Sequence, residues 1–268
     1  MNIDKQISRE IGVHGQQWNS MHDGYFSDPV IGRSLIVAIT KHLSGSDTDV
    51  IVDLGGGTGF VLLELIAQGV TSNIIPVNLD CSAIQLDAME KSGIFCVNGL
   101  ISDFRRNDLV TPDKKVFFIM RSVLHYFGKD GLINVLHHIR NQAQTGEMFI
   151  HQTACFESAV EAQCINVLYQ EMGTPKWYPT ISEMRDRMAI ANWQEIDICP
   201  APTLKLSSVE LGRRYGLDSH ALAKICSRVM EEFGEIHNVF HLVQDGFVAY
   251  LPYRIFVAKA ACGQKGIP

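Results

Sequence analysis

The sequence predicts an α/β fold built on a largely parallel sheet. Three observations predict it. From residue 50 onward, short apolar runs alternate with segments of helical periodicity. Glycines crowd the end of the first apolar run, in "VIVDLGGGTGF" (50–60). Near the end, Asp245–Gly246 divides two apolar runs, the strongest short hairpin signal a sequence offers. Strands alternating with helices of this length imply a sheet whose strands run parallel and are covered on both faces.

The elements follow in order. Residues 2–12 suit a short helix, and "HGQQWNSMHDGYFSDP" (14–29) reads as an aromatic, glycine-punctuated loop. Val30, Ile31, Leu35, Ile36, Ile39 and Leu43 recur at helical spacing over 29–43. Val50–Leu54 is a strand, 60–68 a helix, 74–79 a strand ending at Asp80, and 82–92 a helix that Ser82 is placed to cap. Strands at 94–98 and 116–120, a helix at 130–144 and a strand at 147–152 continue the alternation. Runs such as "KVFFIM" suit strands buried on both faces. The second half reads as a helix over 154–172, a break at "GTPKWYPT", a helix over 181–191 capped by Thr180 or Ser182, and a strand over 193–198. Two helical stretches divided near Gly216 fill 207–233, and Pro252 is expected at an edge or a bulge of the closing hairpin.

A chain of 268 residues with 46 % hydrophobic content can bury a full core. The formal charge of −6 argues against a broad nucleic-acid footprint, which needs clustered Lys and Arg. No apolar stretch of signal-peptide or membrane-span length occurs, so no leader and no membrane contact are expected. The seven cysteines are widely spaced and form no C-x-x-C pair, which fits reduced thiols in a cytoplasmic protein.

Three readings compete for the glycines. A dinucleotide loop needs G-x-G-x-x-G, but Phe60 stands where its third glycine belongs. A phosphate loop needs Gly-Lys-Ser/Thr, and the first lysine after the glycines is Lys91. A turn without a ligand leaves glycine's backbone entropy cost unexplained.

"VDLGGGTG" (52–59) resembles the first motif of the class I S-adenosylmethionine-dependent methyltransferases. Asp80 in "PVNLD", "GLISDF" (99–104), "FFIMRSVLHYF" (117–127) and "TGEMFIHQT" (145–153) extend the resemblance over roughly 30–200 plus the last strand. It implies a Rossmann-like, seven-stranded, mostly parallel sheet with an antiparallel last strand and helical cap insertions. In those terms 1–45 is a helical lid segment, 46–200 with 246–262 the cofactor-binding core, and 201–245 a cap insertion. S-adenosyl-L-methionine is the implied cofactor. Gly55, Gly57 and Gly59 would admit its methionine end, Asp53 would orient the ammonium, and Asp80, with Cys81 beside it, would accept from the ribose diol. Asp103 would accept from the adenine amino group, with Phe104 beside the ring and Arg121 ending the fourth strand.

Methyl transfer is an in-line displacement that needs an aligned, desolvated acceptor, and often a base. His125 and His151, at the ends of two strands, are the candidate bases, although each suits a buried packing role as well. His237 and His241 would share a face only if their segment were helical, and no metal is expected. Tyr25 and Phe26 are placed to exclude water. Trp177, Tyr178, Tyr215 and Met172 are candidates to line the acceptor site, or to pack a helical cap. The expected partner is a small-molecule acceptor, with no nucleic acid; a homodimer is left open. A nucleic-acid or protein methyltransferase is a competing class, but "MRSVLHYF" lacks the Asn/Asp-Pro-Pro-Tyr/Phe loop of amino-methylating enzymes. A binder of the cofactor that transfers no methyl, such as a cyclase, is another.

Overall fold

The computed structural model describes residues 24–89, 92–174 and 176–262. The helix expected at 2–12 and the loop up to residue 23 lie outside the described residues.

The apolar runs become strands because both of their faces are covered. Every residue of β1 (Val50–Leu54) and β4 (Val116–Arg121) is buried. Alternate side chains then serve two cores. Val50, Val52, Leu54, Val116, Phe118 and Met120 face one cluster, and Ile51, Phe117 and Ile119 face the other. The second cluster is closed by α1 (Pro29–Leu43) and α2 (Phe60–Ala67), through Leu35, Ile39, Leu62 and Leu65. The first is closed by α5 (Gly128–Gln142) and α7 (Ile181–Ile190), through Leu132, Leu136, Met184 and Met188. The remaining elements are β2 (Ile75–Asp80), α3 (Ala83–Asp87), β3 (Phe95–Asn98), α4 (Arg106–Leu109), β5 (Met148–Ala154), α6 (Ala159–Glu171), β6 (Trp193–Ser207), α8 (Ser208–Tyr215), α9 (Ser219–Phe233), β7 (Phe240–Val243) and β8 (Gly246–Ala260).

The sheet order is β3-β2-β1-β4-β5-β8-β6, with β7 paired to β8. Strands β1 to β5 are parallel, and β8 runs antiparallel to both β5 and β6. The expected mostly parallel sheet with an antiparallel last strand is therefore present. An eighth strand, β7, joins it because the first arm of the closing hairpin is itself in the sheet. The chain leaves β1 for β2 on one side and reaches β4 on the other. That reversal opens a crevice at the C-terminal ends of the strands, where open α/β sheets take their ligands.

Where the elements differ from the sequence reading, the reasons are local. Strand β6 runs on to Ser207, well past Ile198, because it stays paired with β8 from Trp193↔Ala260 to Ser207↔Val248 across two bulges. Pro252 sits opposite the second bulge, between the pairs Ala201↔Tyr253 and Leu204↔Leu251, as expected of a residue that cannot donate. The segment 201–245 is thus built partly into the sheet: 201–207 continue β6 and 240–243 form β7. Helices α6, α8 and α9 pack on this extension through Leu168, Leu211, Val229, Phe240 and Leu251, giving the molecule a third apolar cluster. The hairpin turn falls one residue earlier than its Asp-Gly signal, with Val243 paired to Gly246. Gly246 abuts Ser208, where an added Cβ would lie 2.2 Å from Oγ, so packing overrides the local turn preference. Ser82 is the N-cap residue of α3, but the capping contact is inverted: its N–H donates to Asp80 Oδ1 at 2.8 Å.

Candidate active site

The glycine loop connects β1 to α2. Gly55, Gly57 and Gly59 have φ of 75°, 56° and 72°, a left-handed run that side chains resist. Close approach explains the rest. A Cβ on Gly56 would lie 2.4 Å from Asn78 Oδ1 and 2.7 Å from the Asp53 carboxylate, and one on Gly59 would lie 1.9 Å from Met89 Cε. Asn78 Nδ2 donates to the Gly57 carbonyl at 2.9 Å and tethers the loop to β2. Gly56 and Asn78 are the parts of this loop that sequence reasoning missed. The signal was the middle glycine of the run, which neither a dinucleotide nor a phosphate pattern requires.

Two acids stand beside the loop. Asp53, near the end of β1, is 1 % exposed, and neither of its carboxylate oxygens has a hydrogen-bond partner among the described residues. Burial first, and then the neighbouring Asp80, push its carboxyl up to about 7, against the pull of the Arg121 guanidinium. Buried polar atoms are normally paired, so an orphaned carboxyl at a strand end points to a partner that a ligand supplies. Asp80 accepts from Gly57 N at 2.9 Å and from Ser82 N at 2.8 Å, one bond per oxygen. Lone pairs remain on both oxygens for a diol. Burial raises its carboxyl, and the Ser82 and Gly57 N–H groups, followed by the Cys81 thiol and N–H, oppose that rise. Burial also pushes the Cys81 thiol up to about 11, which keeps it protonated and unreactive.

The third group of expected contacts divides. Asp103 is exposed in the turn after β3. Phe104 is not available as a flank for an adenine: its ring is buried in the main core, edge-on to His138 at 5.2 Å and against Phe118 at 6.3 Å. An apolar ring beside an open core position gains more from burial than from a wet loop. Arg121 does reach the strand ends, where it acts as a latch. Its guanidinium donates to the carbonyls of Phe26 at 2.9 Å and Tyr25 at 3.3 Å, and lies over the Tyr25, Phe26 and Phe60 rings. Residues 25 and 26 are thereby tied to the end of β4.

Next to the latch a narrow cleft of about 20 Å³ lies between the sheet edge and the cap. Phe26, His125 and Tyr178 line it, together with Ser122, Tyr126, Tyr169, Lys176, Arg214 and Tyr253. His125 stacks on Tyr178, centroids 5.2 Å apart and planes 18° off parallel. Ser122, directly after β4, holds a φ of 59° and shares a 2.6 Å hydrogen bond with the Tyr253 hydroxyl. A serine in that region costs strain, which functional sites tend to store.

The structure does not bring every candidate here. His151 is a core histidine. It is 0 % exposed, stacked on Phe256 with planes 9° apart, and held at about 3 by burial. It is not among the residues that line the pocket beside the latch. Trp177 packs against the main core under the Arg187 guanidinium. Tyr25 stacks on Tyr253 and donates its hydroxyl to the Pro202 carbonyl, so it is a wedge behind the pocket wall. Met172 is buried in the cap cluster, and Tyr215 reaches the site by accepting from Lys176 Nζ at 2.8 Å. His237 and His241 fall on a turn and on β7, so the helical face that would pair them does not form. Among the described residues, no helix is long and apolar enough to cross a membrane. Ser122, Lys176, Arg214 and Tyr253 were missed, because a positive φ and a contact across 39 residues leave no local pattern.

Neither a protein-family model nor a curated protein matches the sequence. Solved structures do resemble the fold. BH2331, a methyltransferase candidate from Bacillus halodurans C-125, is 10 % identical with a TM-score of 0.64, over 85 % of this chain and 100 % of that one. Geranyl diphosphate C-methyltransferase from Streptomyces coelicolor A3(2) is 14 % identical with a TM-score of 0.50, over 85 % of this chain and 76 % of that one. The (4+2)-cyclase SpnF is 13 % identical with a TM-score of 0.53, over 86 % of this chain and 82 % of that one. The chain has the fold of the class I S-adenosylmethionine-dependent methyltransferases.

Proposed function

We propose that this chain is an S-adenosylmethionine-dependent methyltransferase that acts on a small molecule. The observation that carries the reading is the buried Asp53 carboxyl, whose two oxygens have no hydrogen-bond partner among the described residues, at the strand-order reversal beside a left-handed glycine loop. An α-ammonium suits that carboxyl, because a cation offsets the cost of ionising it in a buried site. Asp80 offers two acceptor oxygens for a ribose diol, and the bare backbone of Gly55 and Gly57 admits the methionine end. When bound, S-adenosylmethionine supplies an electrophilic methyl group.

The chain's own residues do the rest. The Arg121 latch holds Tyr25 and Phe26 across the crevice and excludes water, which strengthens electrostatic contacts inside. Tyr178 and Phe26 hold the acceptor by its faces in the pocket. His125 on the same wall is the group that takes the acceptor's proton. All seven cysteines are unbridged, which supports a reducing, cytoplasmic setting.

A cyclase reading is kept in view by the shared architecture of SpnF. Incubation with methyl-labelled S-adenosylmethionine and a panel of small hydroxyl, amine and carbon acceptors separates the two. The methyltransferase reading predicts label in at least one acceptor. Cofactor binding with no label in any acceptor contradicts it and favours the non-methylating class.

A further inference from the structure

We propose that Asn78 positions Asp53: in the ligand-free protein the Asp53 carboxyl is protonated and donates to Asn78 Oδ1, closing a hydrogen-bonded chain between the two acids of the donor site. The hydrogen bond stands on the geometry of the chain itself, and its consequence for the donor rests on the methyltransferase reading.

Asp53 and Asn78 are register partners on the parallel strands β1 and β2, so their side chains leave the same face of the sheet. Both are buried, and no described residue donates to either Asp53 oxygen or to Asn78 Oδ1. The glycine loop shows how closely these acceptors converge. The place that a Gly56 Cβ would take lies 2.4 Å from Asn78 Oδ1 and 2.7 Å from Asp53 Oδ2. A water or a metal ion at that place would overlap the Gly56 backbone. The Asn78 amide is fixed in direction, because its Nδ2 donates to the Gly57 carbonyl at 2.9 Å and lies 3.0 Å from Met89 Sδ. Turning the amide would set two carbonyl oxygens against each other. An amide oxygen therefore faces a buried carboxyl, and two acceptors repel unless a proton lies between them.

The neighbours agree with a protonated acid. Burial, and then Asp80 on β2, favour the neutral form of Asp53, and Arg121 on β4 opposes them. The glycine loop itself carries no ionisable side chain. A hydrogen bond donated by the neutral acid favours that form again. The chain then runs from the Asp53 hydroxyl to Asn78 Oδ1, from Asn78 Nδ2 to the Gly57 carbonyl, and from Gly57 N to Asp80 Oδ2 at 2.9 Å. It joins the acid that would meet an α-ammonium to the acid that would meet a ribose diol. The second Asp53 oxygen keeps its lone pairs for the ligand. An arriving ammonium breaks the Asp53 O–H bond: the proton leaves to solvent and the electron pair stays on the carboxylate.

The test needs no cofactor, so its failure is separate from a failure of S-adenosylhomocysteine to bind. Aspartate carboxyl carbons in the full chain are titrated by NMR, and the resonance that disappears in Asp53→Asn is assigned to Asp53. Its midpoint is expected at about 7. Asn78→Thr, whose hydroxyl can donate to the ionised acid, should lower that midpoint by about one pH unit or more, a ten-fold loss of proton affinity. A loop tether alone would not move it. Asp53→Asn keeps a donor toward Asn78 Oδ1, and Asp53→Leu does not. Chemical denaturation at about pH 5 should therefore find the first close to wild type and the second clearly less stable. The proposal is overturned if Asp53 titrates in the ordinary carboxylate range, if Asn78→Thr leaves the midpoint in place, or if Asp53→Leu is as stable as Asp53→Asn.

Discussion

Asp53 carries the most consequence for its size. Its carboxyl moves from an ordinary 3.8 to about 7, chiefly through burial. A raised acid favours the protonated fold, so Asp53's contribution to the stability of the ligand-free protein is fully present below about pH 4 and is lost as pH climbs through 7. Full ionisation costs on the order of 4 kcal/mol. A bound ammonium reverses the preference, and binding must then release a proton. Affinity for S-adenosylhomocysteine should rise by up to about ten-fold per unit from pH 5 to 7 and then level off. Asp53→Asn should flatten that profile; a flat profile in the wild type would count against the assignment. His125 gives a second prediction at this scale. His125→Ala should lower kcat by roughly 10²- to 10⁴-fold with S-adenosylhomocysteine affinity unchanged, and wild-type turnover would remove it from the mechanism. The two acids and the glycines were legible because they sit at fixed offsets from strand ends. His151 and Phe104 were not, because a strand end and a core position look alike until the facing side chains Phe256 and His138 are known.

At the scale of elements, the glycine loop does two jobs. Gly55, Gly57 and Gly59 supply left-handed backbone, while Gly56 supplies clearance against Asp53 and Asn78. Gly56 has no positive φ, so Gly56→Ala isolates the steric effect. It should destabilise the fold by about 1–3 kcal/mol through overpacking against polar atoms that cannot move freely. Chemical denaturation checks this, and an unchanged midpoint would show that the loop relaxes. Helices with a capping side chain, such as Thr180 accepting from Glu183 N, were readable almost to that end, whereas the helix expected over 82–92 stops at Asp87 and the one expected from 154 starts at Ala159. The length of β6 was not readable: its bulges and two prolines break the alternation, and only the partner β8 keeps the strand going.

Across the whole molecule, two apolar clusters flank the sheet and a third joins the cap to the extended β6, β7 and β8. The donor crevice belongs to the first half of the chain and was visible from residues 50 to 80. The pocket beside the latch draws on Phe26, the turn after β4, α6, Lys176 and Tyr178, β6, α8 and β8, which only the fold assembles. That division explains why the donor could be inferred from sequence and the acceptor could not. The central claim is that the crevice at the C-terminal ends of the strands binds an adenosyl amino acid through Asp80 at the end of β2. Isothermal titration of S-adenosylhomocysteine into wild type and Asp80→Ala tests it most directly. The account predicts saturable binding at one site per chain, weakened by roughly ten- to a hundred-fold in the variant, as expected when charge-assisted hydrogen bonds are lost. No binding to the wild type, or equal affinity in the two proteins, would contradict it.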